Sequence, residues 1–450
     1  MSRGKDDRRV RALPLLAVCA MVSLLAGCAG GGLPSLPKIT ELNPFKEKQQ
    51  PLPGRRIPVI ESTESLGDNL ADADKPVVLP PVHSNDAWPQ PGGEPNNVTG
   101  NLALSGALHQ AWSVSAGEGS SKTGRVTASP IVFGGRIYTL DAAATLSAFS
   151  LSGSKIFSVS TKPEGEVGLG GYGGGLAAEN GRLYIANGYG VVAALDPSNG
   201  KTIWMKNIDV PVRAAPTAAG DKLYVLAMDG RFYCLSGIDG SEVWSARGLP
   251  QTASLMSSTS PAVDSDMVVV PFPSGDIIAY KIADGSAVWT ENLSRTRQTS
   301  QIASMSDAAR PAIDNGVVFA IGHAGRMIAA KAETGERLWS LTIPSSQPPC
   351  VAGDTIYVVD TGGHVAALAR SSGKTRWTMQ LPKAKSWAGP VLASGTLWLV
   401  SDAGQVVGVD AVTGKLGSQV SVGQETFIPP IVAQGHMFVL TDSAKLIALN

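Results

Sequence analysis

The sequence predicts an all-β protein, an eight-bladed β-propeller built from four-stranded antiparallel blades. The first observation is a tryptophan that recurs at intervals of 38 to 50 residues, each time after a turn that contains glycine, at Trp204, Trp244, Trp289, Trp339 and Trp377. The second is the sequence between them, where short apolar runs alternate with turn residues and no stretch keeps a helical period. A repeat of this length with several short strands is typical of propeller blades.

Eight repeats can be counted along the chain. They begin near Thr127, Gly174, Arg213, Ser258, Ala308, Pro348, Ala388 and Ile428. The first repeat has Phe157 at the tryptophan position, and the seventh has no tryptophan. Because the aromatic residue occupies the same place in successive repeats, we expect it to pack between neighbouring blades rather than to bind a ligand. A tryptophan packed in this way buries roughly 200 Å².

The two ends of the repeat region are predicted to complete one blade together. The eighth repeat supplies three strands, the last at residues 446–449, and residues 111–114 form a strand ahead of the first complete blade. Pairing these two segments would close the ring and remove its exposed edges. We therefore expect the propeller to comprise residues 101–450.

The N-terminus has the features of an export signal. Five basic residues fall within the first eleven positions, before an apolar stretch at residues 12–24 that is too short to span a bilayer comfortably. The next motif, Leu-Ala-Gly-Cys at residues 25–28, resembles the bacterial lipobox, in which cleavage exposes a cysteine that carries acyl chains. We predict a signal peptide at residues 1–27 and lipidation of Cys28; an ordinary or a twin-arginine signal peptide is the alternative. In Gram-negative lipoproteins, an aspartate directly after the lipidated cysteine tends to keep the protein at the inner membrane. Ala29 stands at that position here, and this resemblance favours the outer membrane.

Residues 28–100 are rich in proline, glycine and serine and contain few periodic apolar residues. Such a segment buries too little surface to offset its ordering entropy, so we predict a flexible linker. The 37 basic and 37 acidic residues of the chain balance, which gives no electrostatic reason to expect nucleic acid as a partner. Cys234 and Cys350 fall in distant repeats, and we expect both to be buried and unpaired.

The sequence contains no set of residues with the spacing of a catalytic or metal site. Ser-x-x-Lys occurs at residues 152–155 and 198–201, but both copies lie in the same turn of successive repeats, which indicates turn sequence rather than a nucleophile with its base. The glycine-rich segment 168–175 lacks the Lys-Ser/Thr pair of a phosphate-binding loop. The five histidines show no metal-ligand spacing. We therefore expect no catalytic residue, no metal and no cofactor.

The turns that precede each tryptophan resemble the blades of quinoprotein alcohol dehydrogenases. Those enzymes bind pyrroloquinoline quinone beneath adjacent paired cysteines and beside a calcium ion, whereas this sequence has no vicinal cysteines. The combination of lipobox, linker and eight blades of this length is similar to the BamB family of the outer-membrane β-barrel assembly machinery. A quinoprotein dehydrogenase, or a propeller that binds another cell-envelope partner, is the alternative.

The BamB resemblance implies a scaffold without enzymatic activity on the periplasmic face of the outer membrane. It implies binding to the POTRA region of BamA and assistance to the folding and insertion of outer-membrane β-barrel proteins. Nascent outer-membrane proteins are a further class of partner that it allows. Contact with the membrane would be through the lipid anchor only.

The resemblance also implies a partner surface on the loops that precede the fourth and fifth blades, at residues 250–259 and 294–310. The predicted contact residues are Leu255, Met256, Ser306, Asp307 and Arg310. Leu255 matches an apolar contact position and Asp307 an acidic one, whereas Met256 stands where an arginine is common. An exposed Leu-Met pair could anchor a partner, and the alternative is that the pair packs onto the propeller itself.

Overall fold

The computed structural model describes residues 76–166, 171–248, 259–293, 308–323 and 325–450. All of these belong to one compact unit, residues 62–450. The described residues form 32 β-strands, grouped in eight four-stranded antiparallel sheets, and contain no helix. Within these ranges, no helix is long and apolar enough to cross a membrane. The predicted eight-bladed all-β propeller is thus confirmed.

In blades 1 to 4 the strands follow one another along the chain. Blade 1 comprises β2 (Ile131–Phe133), β3 (Arg136–Leu140), β4 (Thr145–Ser150) and β5 (Lys155–Ser160). Blade 2 comprises β6 (Gly174–Glu179), β7 (Arg182–Asn187), β8 (Val191–Leu195) and β9 (Thr202–Asn207). Blade 3 comprises β10 (Thr217–Ala219), β11 (Lys222–Leu226), β12 (Arg231–Ser236) and β13 (Glu242–Arg247). Blade 4 comprises β14 (Ala262–Asp264), β15 (Met267–Pro271), β16 (Asp276–Lys281) and β17 (Ala287–Asn292).

Blades 5 to 7 repeat this order, and blade 8 takes one strand from the other end of the propeller. Blade 5 comprises β18 (Ala312–Asp314), β19 (Val317–Ile321), β20 (Arg326–Lys331) and β21 (Arg337–Thr342). Blade 6 comprises β22 (Cys350–Ala352), β23 (Thr355–Val359), β24 (His364–Ala369) and β25 (Thr375–Gln380). Blade 7 comprises β26 (Trp387–Ala393), β27 (Thr396–Ser401), β28 (Gln405–Asp410) and β29 (Leu416–Ser421). Blade 8 comprises β30 (Ile431–Ala433), β31 (His436–Leu440), β32 (Lys445–Leu449) and β1 (Gln110–Ser115).

Blade 8 closes the ring. β1 pairs antiparallel with β32, with Trp112 opposite Ala448 and Val114 opposite Leu446. The sheet order β1-β32-β31-β30 makes this N-terminal strand the outermost strand of the last blade. The predicted closure by residues 111–114 is therefore confirmed, and each of the eight described sheets has four strands.

Seven of the eight outer strands carry an aromatic residue that packs against the next blade. In blade 2, the indole Nε1 of Trp204 donates a hydrogen bond to the carbonyl oxygen of Gly237 at 3.0 Å. The ring covers Gly240, where the backbone has a φ of +74° and an added Cβ would lie 2.6 Å from the ring. The same contact of ring and glycine recurs in six further pairs: Trp112–Gly153, Phe157–Gly200, Trp244–Gly285, Trp289–Gly335, Trp339–Gly373 and Trp377–Gly414. The tryptophans thus pack between blades, as predicted.

The structure explains why the seventh repeat lacks a tryptophan. Ser418 occupies the corresponding position on β29. In the neighbouring blade 8, the third and fourth strands are β32 and β1, which lie far apart in the sequence, so no hairpin turn joins them. An aromatic ring at position 418 would therefore have no glycine turn to cover.

The two cysteines of the described residues are unpaired, as predicted, and lie in blades 3 and 6. Cys234 is fully buried and Cys350 is partly buried. Burial raises the pKa of the Cys234 thiol to about 11 and that of the Cys350 thiol to about 12. Because the thiolate is the reactive form, both side chains are poor nucleophiles at neutral pH.

The structure differs from the prediction for the last part of the linker. Residues 76–105 lie on the propeller, and the side chains of Val77, Trp88 and Leu102 are buried there. The composition of residues 76–105 does not reveal that they are ordered. Backbone hydrogen bonds and a few anchoring side chains hold this segment in place, and neither produces a periodic apolar pattern. The folded body therefore includes residues 76–100 of the predicted linker.

Replacing Gly240 with alanine is expected to destabilise the propeller more than replacing Gly220 with alanine. Both glycines lie in turns of blade 3 with positive φ, +74° and +53°, so both substitutions strain the backbone. Only at Gly240 does the added Cβ meet an aromatic ring, that of Trp204, whereas nothing lies within 4 Å at Gly220. The expected extra loss is about 1–3 kcal/mol of unfolding free energy, measured by denaturant titration. Equal losses would contradict the proposed role of the contact between ring and glycine.

Candidate partner-binding surface

The antiparallel order of the strands gives the propeller two different faces. The turns between the first and second strands of a blade, and between the third and fourth, lie on one side, which we call the turn face. The connections between the second and third strands, and those between blades, lie on the opposite side, which we call the loop face. Residues 249–258 and 294–307 belong to the connections from β13 to β14 and from β17 to β18. Both predicted partner loops therefore begin and end on the loop face.

Four of the five predicted contact residues lie outside the described residues: Leu255, Met256, Ser306 and Asp307. The ends of their loops are described. One loop leaves blade 3 after Arg247 and enters blade 4, and the other leaves blade 4 after Leu293 and enters blade 5. The two loops therefore start from neighbouring blades, which agrees with a single surface that both could form.

Arg310, the fifth predicted contact residue, is buried and only 5% exposed. Its Nη1 donates a hydrogen bond to the carbonyl oxygen of Pro91 at 2.8 Å, and burial lowers the pKa of the guanidinium to about 10. Arg310 thus contacts the N-terminal part of the folded body rather than forming part of an exposed surface. The sequence could not show this position, because it depends on Pro91 folding back over a residue more than two hundred positions away in the chain.

Four arginines that belong to no sequence motif surround the ends of the two loops. Arg247 ends β13 and lies opposite Arg231, which begins β12. Arg213 lies in the connection that leads to β10, and Arg326 begins β20. We call these four residues the arginine flank. In the sequence, the members of the arginine flank are only single arginines at strand ends. The fold brings them to one face of the propeller.

Neighbouring groups orient the arginine flank. The Nε of Arg231 lies 2.5 Å from the Asp229 carboxylate, while its side chain remains 41% exposed. The guanidinium of Arg213 lies 3.9 Å from the ring centroid of Tyr172, in a cation–π contact. Arg247 is exposed. Asp229 compensates the charge of Arg231, so the exposed positive charge on this part of the loop face comes chiefly from Arg247, and it suits an acidic group on a partner.

The innermost strands surround the axis of the propeller. The first strands of neighbouring blades, such as β2 and β6 or β14 and β18, contact each other. Most of them are only three residues long. Their inward edges carry backbone N–H and C=O groups, and such groups need hydrogen-bond partners when they are buried.

Residues 85–105, which we call the axial segment, provide these partners from blade to blade. Trp88 and Val132 of blade 1 exchange two backbone hydrogen bonds, at 2.8 and 2.9 Å. The backbone N–H groups of four further inner strands donate to the axial segment: Ala178 to Pro89, Ala218 to the Gln90 side chain, Val263 to Pro95 and Ile313 to Asn96. Its later part bonds to blade 7 through Leu102 and to blade 8 through Ser105. The axial segment thus connects the inner strands of seven blades.

The described residues do not fit a centre that holds a quinone and a calcium ion. Cys234 and Cys350 lie in blades 3 and 6 rather than side by side. In the part of the chain that the structure describes, no group of three or more His, Cys, Asp or Glu side chains is placed to hold a metal ion. The axial segment itself lies along the inner strands. The cleft beside Trp88 and Arg310 has a volume of about 480 Å³, including its open mouth.

The family model described as outer membrane protein assembly factor BamB matches residues 142–379 and 361–450 of the chain, more than half of its length. The chain belongs to this family. The matched residues include blades 2 to 7 and three of the four strands of blade 8, so the match covers most of the repeats on which the BamB resemblance of the sequence depends.

Relatives of the chain are similar to it over part of their length. An outer membrane protein assembly factor BamB of Moranella endobia is 29% identical over 126 residues, which is 26% of this chain and 31% of that protein. An uncharacterized protein of Rickettsia prowazekii is 29% identical over 169 residues, 37% of this chain and 40% of that protein. The chain therefore matches less than half the length of these two relatives.

Solved structures share the propeller fold. BamB from Moraxella catarrhalis superposes with a TM-score of 0.65 at 17% identity, covering 76% of this chain and 99% of that one. A quinohemoprotein alcohol dehydrogenase from Comamonas testosteroni superposes with a TM-score of 0.67 at 12% identity, covering 85% and 84%. At these identities the likeness concerns the fold alone. Function therefore has to be argued from the site residues.

Replacing Trp88 with alanine is expected to lower the unfolding free energy by about 3–5 kcal/mol. Trp88 is 3% exposed and belongs to the core shared by blades 1, 7 and 8, so its loss would leave a cavity beneath the axial segment. Val82→Ala is the matched control, because Val82 lies nearby in the sequence but is 52% exposed. Thermal melts of both variants check this. A Trp88→Ala variant that melts with the parent would contradict a structural role for the axial segment.

Proposed function

We propose that the chain is a lipid-anchored scaffold of the β-barrel assembly machinery on the periplasmic face of the outer membrane. In this role it binds the POTRA region of BamA and assists the folding and insertion of outer-membrane β-barrel proteins. The observation that carries the proposal is the match of most of the propeller to the BamB family. The proposed activity is binding, with no catalytic step and no cofactor.

The proposed anchor is acylated Cys28. The lipobox-like motif at residues 25–28 supports it, as does the cysteine's position directly after the apolar stretch. Each buried methylene of an acyl chain contributes about 0.8 kcal/mol, so several chains hold a protein durably at a membrane. Residues 1–75 lie outside the described residues, and the anchor therefore rests on the sequence.

The proposed partner surface is the loop face of blades 3 to 5. Leu255 and Met256 are the proposed apolar anchors, with Ser306 and Asp307 in the neighbouring loop. The arginine flank supports this location, since it surrounds the ends of both loops and offers charge to an acidic partner. Arg310 has a different proposed role, because its contact with Pro91 fixes the start of blade 5 against the axial segment.

The double substitution Leu255→Ala with Met256→Ala is expected to reduce co-purification of BamA from detergent-solubilised envelopes by roughly tenfold or more. Truncation of an apolar anchor at the centre of an interface costs about 2 kcal/mol or more in binding. The measurement is the amount of BamA retained by the tagged full-length protein, determined by quantitative immunoblot.

The matched control is Val412→Ala with Leu416→Ala, two apolar residues of blade 7 that are each 42% exposed. This pair lies away from the proposed surface and should retain BamA at the parent level. Failure of the parent protein to retain BamA or any other component of the assembly machinery would contradict the proposed function. Equal retention by both double variants would contradict only the proposed location.

A further inference from the structure

Six tryptophans of the outer strands use their indole N–H groups in the same way. Each donates a hydrogen bond from Nε1 to a backbone carbonyl oxygen of the next blade, at 2.7–3.2 Å. The six are Trp112, Trp204, Trp244, Trp289, Trp339 and Trp377. In each case the ring also covers a glycine of the next blade. An indole that covers a glycine turn in this propeller thus normally has an acceptor beside that turn.

Trp387 repeats the contact of ring and glycine on the loop face, but without the hydrogen bond. It begins β26 of blade 7 and lies against the turn between β23 and β24 of blade 6. A Cβ added at Gly363 in that turn would lie 3.5 Å from Cδ1 and 3.6 Å from Nε1 of the indole. The side chain is 8% exposed, and its Nε1 donates to no other residue that the structure describes. Because a buried indole N–H usually has an acceptor, a bound molecule could complete this contact.

Trp387 and Gly363 line a pocket between blades 6 and 7, which we call the seam pocket. Its other walls come from three segments of the loop face, residues 345–347, 359–362 and 384–386. Its volume is about 470 Å³, including its open mouth. A group carried on a larger chain can therefore enter it from the loop face.

Hydrogen bonds hold the three segments around the seam pocket. The backbone N–H of Thr361 donates to the carbonyl oxygen of Pro344 at 2.9 Å. The side-chain oxygen of Gln347 accepts from the N–H of Gly389 at 3.2 Å. The carboxylate of Asp402 accepts two backbone N–H groups of the segment 384–386, at 2.9 and 3.2 Å. The walls of the pocket are thus fixed relative to one another.

The side chains around the seam pocket offer mainly hydrogen-bond donors. Besides Trp387, four lining side chains carry donors and make no hydrogen bond to another described residue: Ser346, Thr361, Lys385 and Ser386. The carboxylate in the lining, that of Asp360, already accepts the backbone N–H of His364 at 2.8 Å and lies 2.9 Å from its Nδ1. The pocket therefore matches a ligand that is rich in acceptors.

We propose that the seam pocket binds a carboxylate of a peptide, either on an acidic side chain or at a C-terminus. In the bound state, Nε1 of Trp387 and Nζ of Lys385 donate to the carboxylate oxygens, and hydrogen bonds of this kind are stronger than neutral ones. Asp360 and Lys385 carry opposite charges, so the pocket suits a singly charged carboxylate better than a phosphate group with a charge near −2. The site lies on blades 6 and 7, outside the proposed partner surface of blades 3 to 5, and therefore goes beyond the proposed function.

The test uses fluorine NMR of the full-length protein in detergent, with its nine tryptophans replaced by fluorotryptophan. The signal of Trp387 is the one that a Trp387→Phe variant loses. Titration with the peptide Gly-Ser-Glu-Ser-Gly, blocked at both ends, is expected to shift this signal. The same peptide with glutamine in place of glutamate should bind roughly tenfold more weakly, because it lacks the charge. A peptide whose only carboxylate is its C-terminus shows whether that source binds as well.

Two exposed lysines provide a matched pair of variants. Lys385→Ala is expected to weaken binding of the glutamate peptide roughly threefold or more. Lys383→Ala should bind like the parent, because Lys383 is also exposed but does not line the seam pocket. Equal binding of the glutamate and glutamine peptides would overturn the carboxylate as ligand. A Trp387 signal that does not move during the titration, or equal binding by the two lysine variants, would overturn the assigned site.

Discussion

The constraint on which this structure depends is that the backbone groups at strand edges need hydrogen-bond partners. Each blade is an open four-stranded sheet with an inner and an outer edge. The chain solves the problem at the inner edge with its own N-terminal part, since the axial segment bonds to the inner strands of seven blades. It solves the problem of the incomplete last sheet in the same way, because β1 completes blade 8.

The side-chain contacts between blades follow from this arrangement. An aromatic ring on one blade lies on a glycine of the next only where a hairpin turn exists to receive it. The tryptophan is absent in blade 7 because blade 8 is closed by a separate strand and has no such turn. Among the described residues, no strand pairs with the outer edge of any blade. Strand edges of this kind can bind extended segments of other chains, which agrees with the proposed scaffold function.

The fold could be predicted largely from the sequence, and the site could not. The spacing of tryptophans and glycines reflects a contact between blades. It therefore reveals the number of blades and the role of residues 111–114. The axial segment leaves no such pattern in the sequence. Backbone carbonyl oxygens accept most of its hydrogen bonds with the inner strands, and every residue has a backbone carbonyl. The arginine flank was missed for a related reason. Its members stand at the ends of different strands, and only the ring brings them to one face.

The most direct test of this account is hydrogen exchange at the inward-facing amides of Val132, Val263 and Ile313. We expect these amides to exchange as slowly as those of the central strands, because each donates to the axial segment and opens only with it. Exchange at the rate of exposed amides, while the central strands stay protected, would show that the inner edges lack partners and would contradict the account.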